Sequence, residues 1–207
     1  MITIIDYGLG NLFSVKNALD FLHIPSRISS KPSDIEKGDG LILPGVGAFE
    51  DGMKNLHTRG LVSLIQRSVL KKKKPLLGLC LGMQLLAQKS FEGGEFEGLG
   101  LIEGEVRKLV SPDKKIKIPH IGWNDVRIVK SDPLLKNLSD HPAFYFVHSF
   151  HVVFKNSDLV TSVCDYGGDF VATMHDGTIY GAQFHPEKSQ HDGLALLKNF
   201  EAIITNS

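Results

Sequence analysis

Two cysteines in 207 residues, Cys80 and Cys164, with no C-x-x-C pair, give nothing from which to build a disulfide framework or a thiolate metal cage. A reducing compartment is the expectation. An excess of either charge is also missing. Lys+Arg total 23 and Asp+Glu total 23, which argues against a nucleic-acid or acidic-membrane surface. No apolar run approaches the roughly 20 residues of a membrane span. The start, Met1-Ile2-Thr3-Ile4-Ile5-Asp6, turns acidic too soon for a secretory signal, so a cytoplasmic protein is expected. Repeats, low-complexity tracts and linkers are lacking too, so residues 1–207 are expected to form one domain. What is there, 42% hydrophobic and 22% charged, is an ordinary globular composition.

The first half alternates strand and helix signals. Ile2 to Ile5, Ser26 to Ser29, Gly40 to Leu43 and Leu76 to Leu79 read as short strands. Between them lie a helix faced by Leu12, Val15, Leu19 and Leu22, with Asn11 as its cap, and one faced by Leu61, Leu64, Ile65 and Val69. Lys71 to Lys74 closes the second as a solvated end. This alternation predicts a parallel sheet with helices on both faces. After residue 100 the pattern changes to strands joined by tight turns: Glu105–Val110, Ile116–Ile118, Val126–Val129, Phe144–Val147, Leu159–Val163, Phe170–Met174 and Ile179–Phe184. A helix over Asp192–Ile204 ends the chain. The fold class is α/β: three αβα layers, a flavodoxin-like and mostly parallel sheet, with added antiparallel strands.

Chemistry concentrates at Leu77-Gly78-Leu79-Cys80-Leu81-Gly82-Met83-Gln84. A buried strand ends at Cys80 and a helix over Leu81–Lys89 follows. Glycines flank the cysteine where a Cβ would clash in a sharp turn. This is the G-x-nucleophile-x-G elbow with a thiol in place of a hydroxyl. A helix N-terminus behind the sulfur favours the thiolate.

A nucleophilic thiol needs a base, and the base needs an orienting group. Gln183-Phe184-His185-Pro186-Glu187 follows another strand, and it places a carboxylate two residues beyond a histidine across a stiff proline turn. His148 is the next candidate base, with His120, His151 and His175 behind it. An oxyanion hole draws one donor from the Leu81 N–H and a second from the loop Pro44-Gly45-Val46-Gly47-Ala48. Two other chemistries are not supported. Gly8-Leu9-Gly10-Asn11-Leu12-Phe13 lacks the third glycine of a dinucleotide fingerprint, and no acidic residue ends the second strand. His148 and His151, in a strand and its turn, are expected on opposite faces, so no metal site is predicted.

Taken together, the cysteine elbow, Pro44-Gly45-Val46-Gly47 and His185-Pro186-Glu187 resemble the class I (triad) glutamine amidotransferases. Three further stretches are similar to the glutaminase subunits of imidazole glycerol phosphate synthases: Ile118-Pro119-His120-Ile121-Gly122-Trp123-Asn124, Tyr145-Phe146-Val147-His148-Ser149-Phe150 and His185-Pro186-Glu187-Lys188-Ser189-Gln190. The resemblance runs over nearly the whole chain. It implies a Cys80–His185–Glu187 triad, with an oxyanion hole at Val46, Gly47 and Leu81. L-Glutamine would lie against Gly47, Gln84, Glu92, Ser149 and Phe150, with no cofactor and no metal. It also implies a heterodimer with a (β/α)8-barrel cyclase subunit, met through Asn11, Trp123 and Lys188. Phe150 stands where tyrosine is common in the family. Two rival readings share the fold: a glutaminase supplying ammonia to amino-sugar synthesis, and a free-standing γ-glutamyl hydrolase.

Overall fold

Alternation along the central strands sorts their side chains onto two faces. In β1 (Ile2–Ile5), Ile2 and Ile4 join one buried cluster and Ile5 the other. A helix, α1 (Leu12–Phe21), leads to β2 (Ser26–Ser29), and α2 (Pro32–Lys37) leads to β3 (Gly40–Gly45). In β3, Ile42 faces with Ile4, while Leu41 and Leu43 face with Ile5. Then come α3 (Phe49–Thr58), α4 (Val62–Gln66) with a π-helical turn over Arg67–Lys71, and β4 (Leu76–Cys80). Helices α1 and, at the far end of the chain, α6 (Gln190–Thr205) cover one face through Val15, Leu19, Leu196, Leu197 and Phe200. Helices α3 and α4 cover the other through Phe49, Met53, Leu56, Leu64 and Ile65. The computed structural model describes residues 1–110 and 116–206.

The remaining elements are α5 (Leu81–Leu85), β5 (Lys89–Ser90), β6 (Phe96–Glu97), β7 (Gly104–Lys108), β8 (His120–Asp125), β9 (Arg127–Ile128), β10 (Ala143–His148), β11 (Phe150–Phe154), β12 (Val160–Asp165), β13 (Asp169–Asp176) and β14 (Ile179–Ala182). The main sheet runs β2-β1-β3-β4-β14-β13-β12-β9. Its first five strands are parallel, and β13, β12 and β9 extend it antiparallel. Two small sheets, β10-β8 and β11-β7-β5-β6, lie beside it. Register fixes the site: Gly45 pairs with Cys80, and Ala182 with Leu79. The C-terminal ends of β3, β4 and β14 therefore open on one edge, where parallel sheets form their crevices.

Several expectations are corrected. The helix after Cys80 stops at Leu85 rather than Lys89, because residues 99–102 take its next carbonyls. Leu99 N–H donates to Leu85 O, Leu101 and Ile102 to Leu86 O, and Gly100 to Ala87 O. Pro44 and Gly45 belong to β3, paired with Leu79 and Cys80, so only residues 46–48 form the loop. Asn11 does begin α1, but its side chain accepts from the Ser14 hydroxyl and caps no backbone N–H. Lys74 is not a solvated end: its ammonium donates to the carbonyls of Ile35, Glu36 and Gly38, closing the C-terminus of α2. The strand expected over Ile116–Ile118 starts instead at His120, past Pro119, which has no N–H for a ladder. Val126–Val129 shrinks to two residues. Helices α2 and α3 and strand β11 were not expected, although Phe49, Met53 and Leu56 carry the helical spacing of α3.

One part-buried ion pair ties the sheet to its surroundings. His175 on β13 sets Nδ1 2.6 Å from Asp132 Oδ2 and donates Nε2–H to Gly177 O at 2.8 Å. Asp132 also accepts the Leu134 N–H at 2.8 Å. Both partners of the ring are acceptors, so the imidazolium suits the site. The Asp132 hydrogen bond raises the His175 pKa against the opposing effect of burial. A raised folded-state value means the pair's contribution is complete below the unfolded value of about 6.5 and is lost as pH rises through the folded one. The stability deficit of His175→Gln in urea unfolding is therefore expected to be largest near about pH 6 and to shrink toward about pH 9. A deficit that grows with pH contradicts the assignment.

Candidate active site

Cys80 ends β4 with φ 53° and ψ −113°, a left-handed conformation for a residue with a side chain. The packing around it leaves no room to relax. A Cβ built on Gly82 would stand 1.7 Å from the Leu43 carbonyl oxygen, and one on Gly78 2.8 Å from the Met83 backbone. Both flanking glycines are thus required by close approach. With only five residues, α5 brings less dipole to the sulfur than the longer helix expected.

His185 follows β14. Its N–H donates to Tyr145 O at 2.9 Å, and its carbonyl accepts from the Ser189 hydroxyl. Its Nδ1 lies 2.9 Å from Glu187 Oε1, and both side chains are almost fully buried. His185 Nε2 has no conventional hydrogen-bond partner, yet it lies close enough to the Cys80 sulfur to respond to it. Burial pushes the imidazole down. Cys80 and Glu187, through hydrogen bonding and charge, outweigh that and raise it.

In front of the sulfur lies a cavity of about 260 Å³, lined by Val46, Gly47, Cys80, Leu81, Gln84 and Glu92 and closed by Pro119 and residues 147–150. All five expected glutamine contacts and the three expected oxyanion donors border it. Gly47 has φ 104° with open space where a Cβ would be. Glu92 Oε2 accepts the Phe49 N–H at 2.9 Å at the start of α3, tying the 46–48 loop to the cavity wall.

A directed hydrogen-bond network runs behind the cavity, and one atom orients it. The Phe150 carbonyl can only accept. It takes Gln84 Nε2–H at 2.8 Å and His148 Nδ1–H at 2.9 Å. His148 Nε2 must then accept, so His120 Nδ1, 3.2 Å away, carries a proton. Burial drives both imidazoles toward the neutral form: His148 falls to about 3, with His120, His151 and His185 adding to the effect, and His120 falls to about 4. His148 and His151 were expected on opposite faces, but both rings pack edge-on against Phe170, with centroids 4.9 and 6.1 Å away. The bend at Ser149 between β10 and β11 resets the alternation. His148, the rival base, is thus committed to Phe150 and His120, and His175 to Asp132.

Sequence reasoning missed three contributors. Gln183 is fully buried and bonded to both Gln84 and the Cys80 sulfur. Its place two residues before His185, directly after β14, was the available signal. Pro119 closes the cavity. Tyr7 is buried beneath Gly45 with an unpaired hydroxyl, and burial, with Cys80 nearby, pushes that hydroxyl's pKa up. Of the expected interface residues, Trp123 and Lys188 flank the Tyr145 ring, at 6.2 Å between rings and 5.4 Å from Nζ. Asn11 starts α1, which packs on the 3-10 turn Pro186–Lys188.

The sequence profile described as glutamine amidotransferase class-I matches residues 3–203. The chain belongs to the class I glutamine amidotransferases. Among its relatives, imidazole glycerol phosphate synthase subunit HisH 1 of Campylobacter jejuni is 48% identical over 203 residues, covering 98% of this chain and 100% of that one. The subunit HisH of Moorella thermoacetica is 46% identical, covering 100% and 96%. A crystal structure described as a glutamine amidotransferase superposes with TM-score 0.76 at 20% identity, covering 99% of this chain and all of the other, a likeness of fold.

The amidotransferase network makes a spectroscopic prediction. His120 and His148 are expected to be neutral Nδ1–H tautomers whose ring ¹⁵N shifts hold steady between about pH 6 and 8. A titration of either ring in that window contradicts the orientation set by the Phe150 carbonyl.

Proposed function

We propose that this chain is the glutaminase subunit of an imidazole glycerol phosphate synthase in histidine biosynthesis. It hydrolyses L-glutamine to glutamate and passes ammonia to a separate (β/α)8-barrel cyclase subunit in a cytoplasmic heterodimer, which forms imidazole glycerol phosphate and AICAR. The observation that carries the reading is full-length similarity, 42–48% identical, to chains named as that synthase's HisH subunit.

In this reading Cys80 Sγ attacks the side-chain amide carbon of glutamine. His185 takes the thiol proton and returns it to the leaving nitrogen, so ammonia departs and a γ-glutamyl thioester remains. Glu187 holds the imidazole tautomer from Nδ1. N–H groups of Leu81 and of the Val46–Gly47 loop take the developing oxyanion, each worth roughly 10²–10³ in turnover. Water, activated by His185, then releases glutamate. The substrate rests against Gly47, Gln84, Glu92, Ser149 and Phe150. Gln84 Nε2 and the Phe150 carbonyl are already committed to each other, so Gln84 has its Oε1 to offer. Asn11, Trp123 and Lys188 belong to the surface that meets the cyclase.

The test separates the two half-reactions. In the assembled complex, His185→Ala is expected to lower glutamine-dependent product formation at least about a hundredfold. Synthesis from added ammonium salt should stay within about twofold of wild type. Equal loss with both nitrogen sources defeats the division of labour, and retained glutamine use removes His185 from the triad.

A further inference from the structure

Gln183 lies outside the cavity lining and has no part in the acyl-transfer steps above, yet it is 0% exposed and its amide is fixed at both ends. Its orientation follows from the same carbonyl that orients the histidines. Phe150 O is an acceptor, so the Gln84 atom facing it at 2.8 Å is the NH2 group. The second hydrogen of that group then points at Gln183, and the facing atom, 3.1 Å away, is Oε1. That leaves Gln183 Nε2 turned toward Cys80, with the sulfur 3.7 Å away. The opposite amide orientation would set two donors against each other. The backbone is held as well: Gln183 N–H donates to Ala172 O at 2.8 Å on β13.

We propose that Gln183 is a positioning residue for the nucleophile: its side-chain N–H holds the Cys80 sulfur in its reactive form and in reach of His185. The inference rests on Cys80 being the nucleophile. An N–H aimed at sulfur binds the thiolate more strongly than the thiol, because hydrogen bonds to an ionised acceptor are roughly twice as strong as neutral ones. The donor is desolvated and fixed before glutamine arrives, so no reorganisation is needed when the sulfur is charged. Gln183 and His185 both belong to the segment that follows β14 (Ile179–Ala182), two residues apart. The Cys80 sulfur also lies 3.9 Å from Val147 O, an acceptor that suits the thiol, and the amide supplies the opposing donor.

The experiment uses the full chain with Gln183→Met, which keeps the volume and removes the N–H, and Gln183→Leu, which removes the N–H with a shorter side chain. Iodoacetamide alkylation is followed at the Cys80 peptide by mass spectrometry across pH, with circular dichroism reporting the fold. Both variants are expected to alkylate about tenfold more slowly than wild type at neutral pH. For glutamine hydrolysis by the complex, kcat is expected to fall at least about tenfold while KM stays within about twofold, because Gln183 does not line the cavity. A folded variant of either kind with the wild-type alkylation profile and kcat overturns the proposal. If one variant does not fold, the other decides the question alone. Should wild-type Cys80 itself alkylate no faster than buried Cys164, the nucleophile reading fails, and this inference with it.

Discussion

Cys80 is held at φ 53°, a conformation that costs a residue with a side chain about 1–3 kcal/mol and persists only where the surroundings over-determine it. The surroundings here are backbone. Gly82 lies against the Leu43 carbonyl, Gly78 against Met83, and Gly45 pairs with Cys80 across the β3–β4 ladder. The sheet is therefore closed tightly around the elbow, and the strain lifts the sulfur off the strand line into the crevice. Everything else in the site is placed relative to that atom. Strand β14, parallel to β4, delivers His185 to the same edge, and the loop after β3 delivers Val46 and Gly47.

The electrostatics follow from dryness. His185 and Glu187 are almost wholly buried, and a buried charge is tolerated only when paired. Among the described residues, Glu187 Oε2 and the Tyr7 hydroxyl are buried at the site without a hydrogen-bond partner, and His185 Nε2 faces no partner other than the Cys80 sulfur. Such atoms are rare in folded proteins and gather where chemistry needs an unspent donor or acceptor. His120 and His148 are the contrast. They are equally buried, but they spend their protons on one another and on Phe150 and stay neutral. Identical side chains in neighbouring positions thus take opposite roles, set by whether a carboxylate stands beside the ring.

The sequence made the parallel half legible because its strands are short apolar runs punctuated by glycine and proline, and the elbow carried its own steric signature in Gly78 and Gly82. The second half was read only in outline. There the strands are partly exposed at small sheet edges, and a bend such as Ser149 breaks the alternation on which strand reading depends. Helix α5 looked longer than it is because its last carbonyls are taken by residues 99–102, a tertiary event with no local sign. Lys74 looked solvated for the same reason. The residues expected to bind glutamine and to meet a partner came through resemblance to the family, and the cavity brings the first group together. Gln183 was passed over because its only local sign was its place two residues before His185, and nothing in the sequence says that it is buried against Cys80. Its meaning appears only when every donor and acceptor around Phe150 is counted.

The most direct measurement of the central claim, that Cys80 is the atom that bonds to glutamine carbon, is covalent capture. The full chain, with its cyclase partner, is treated with an electrophilic glutamine analogue in which a chloroketone replaces the side-chain amide. It is then digested and mapped by mass spectrometry with and without excess L-glutamine. The account predicts a single adduct on the peptide containing Cys80, suppressed by glutamine and absent in Cys80→Ala. An adduct on Cys164, or one on Cys80 that glutamine does not suppress, would contradict it.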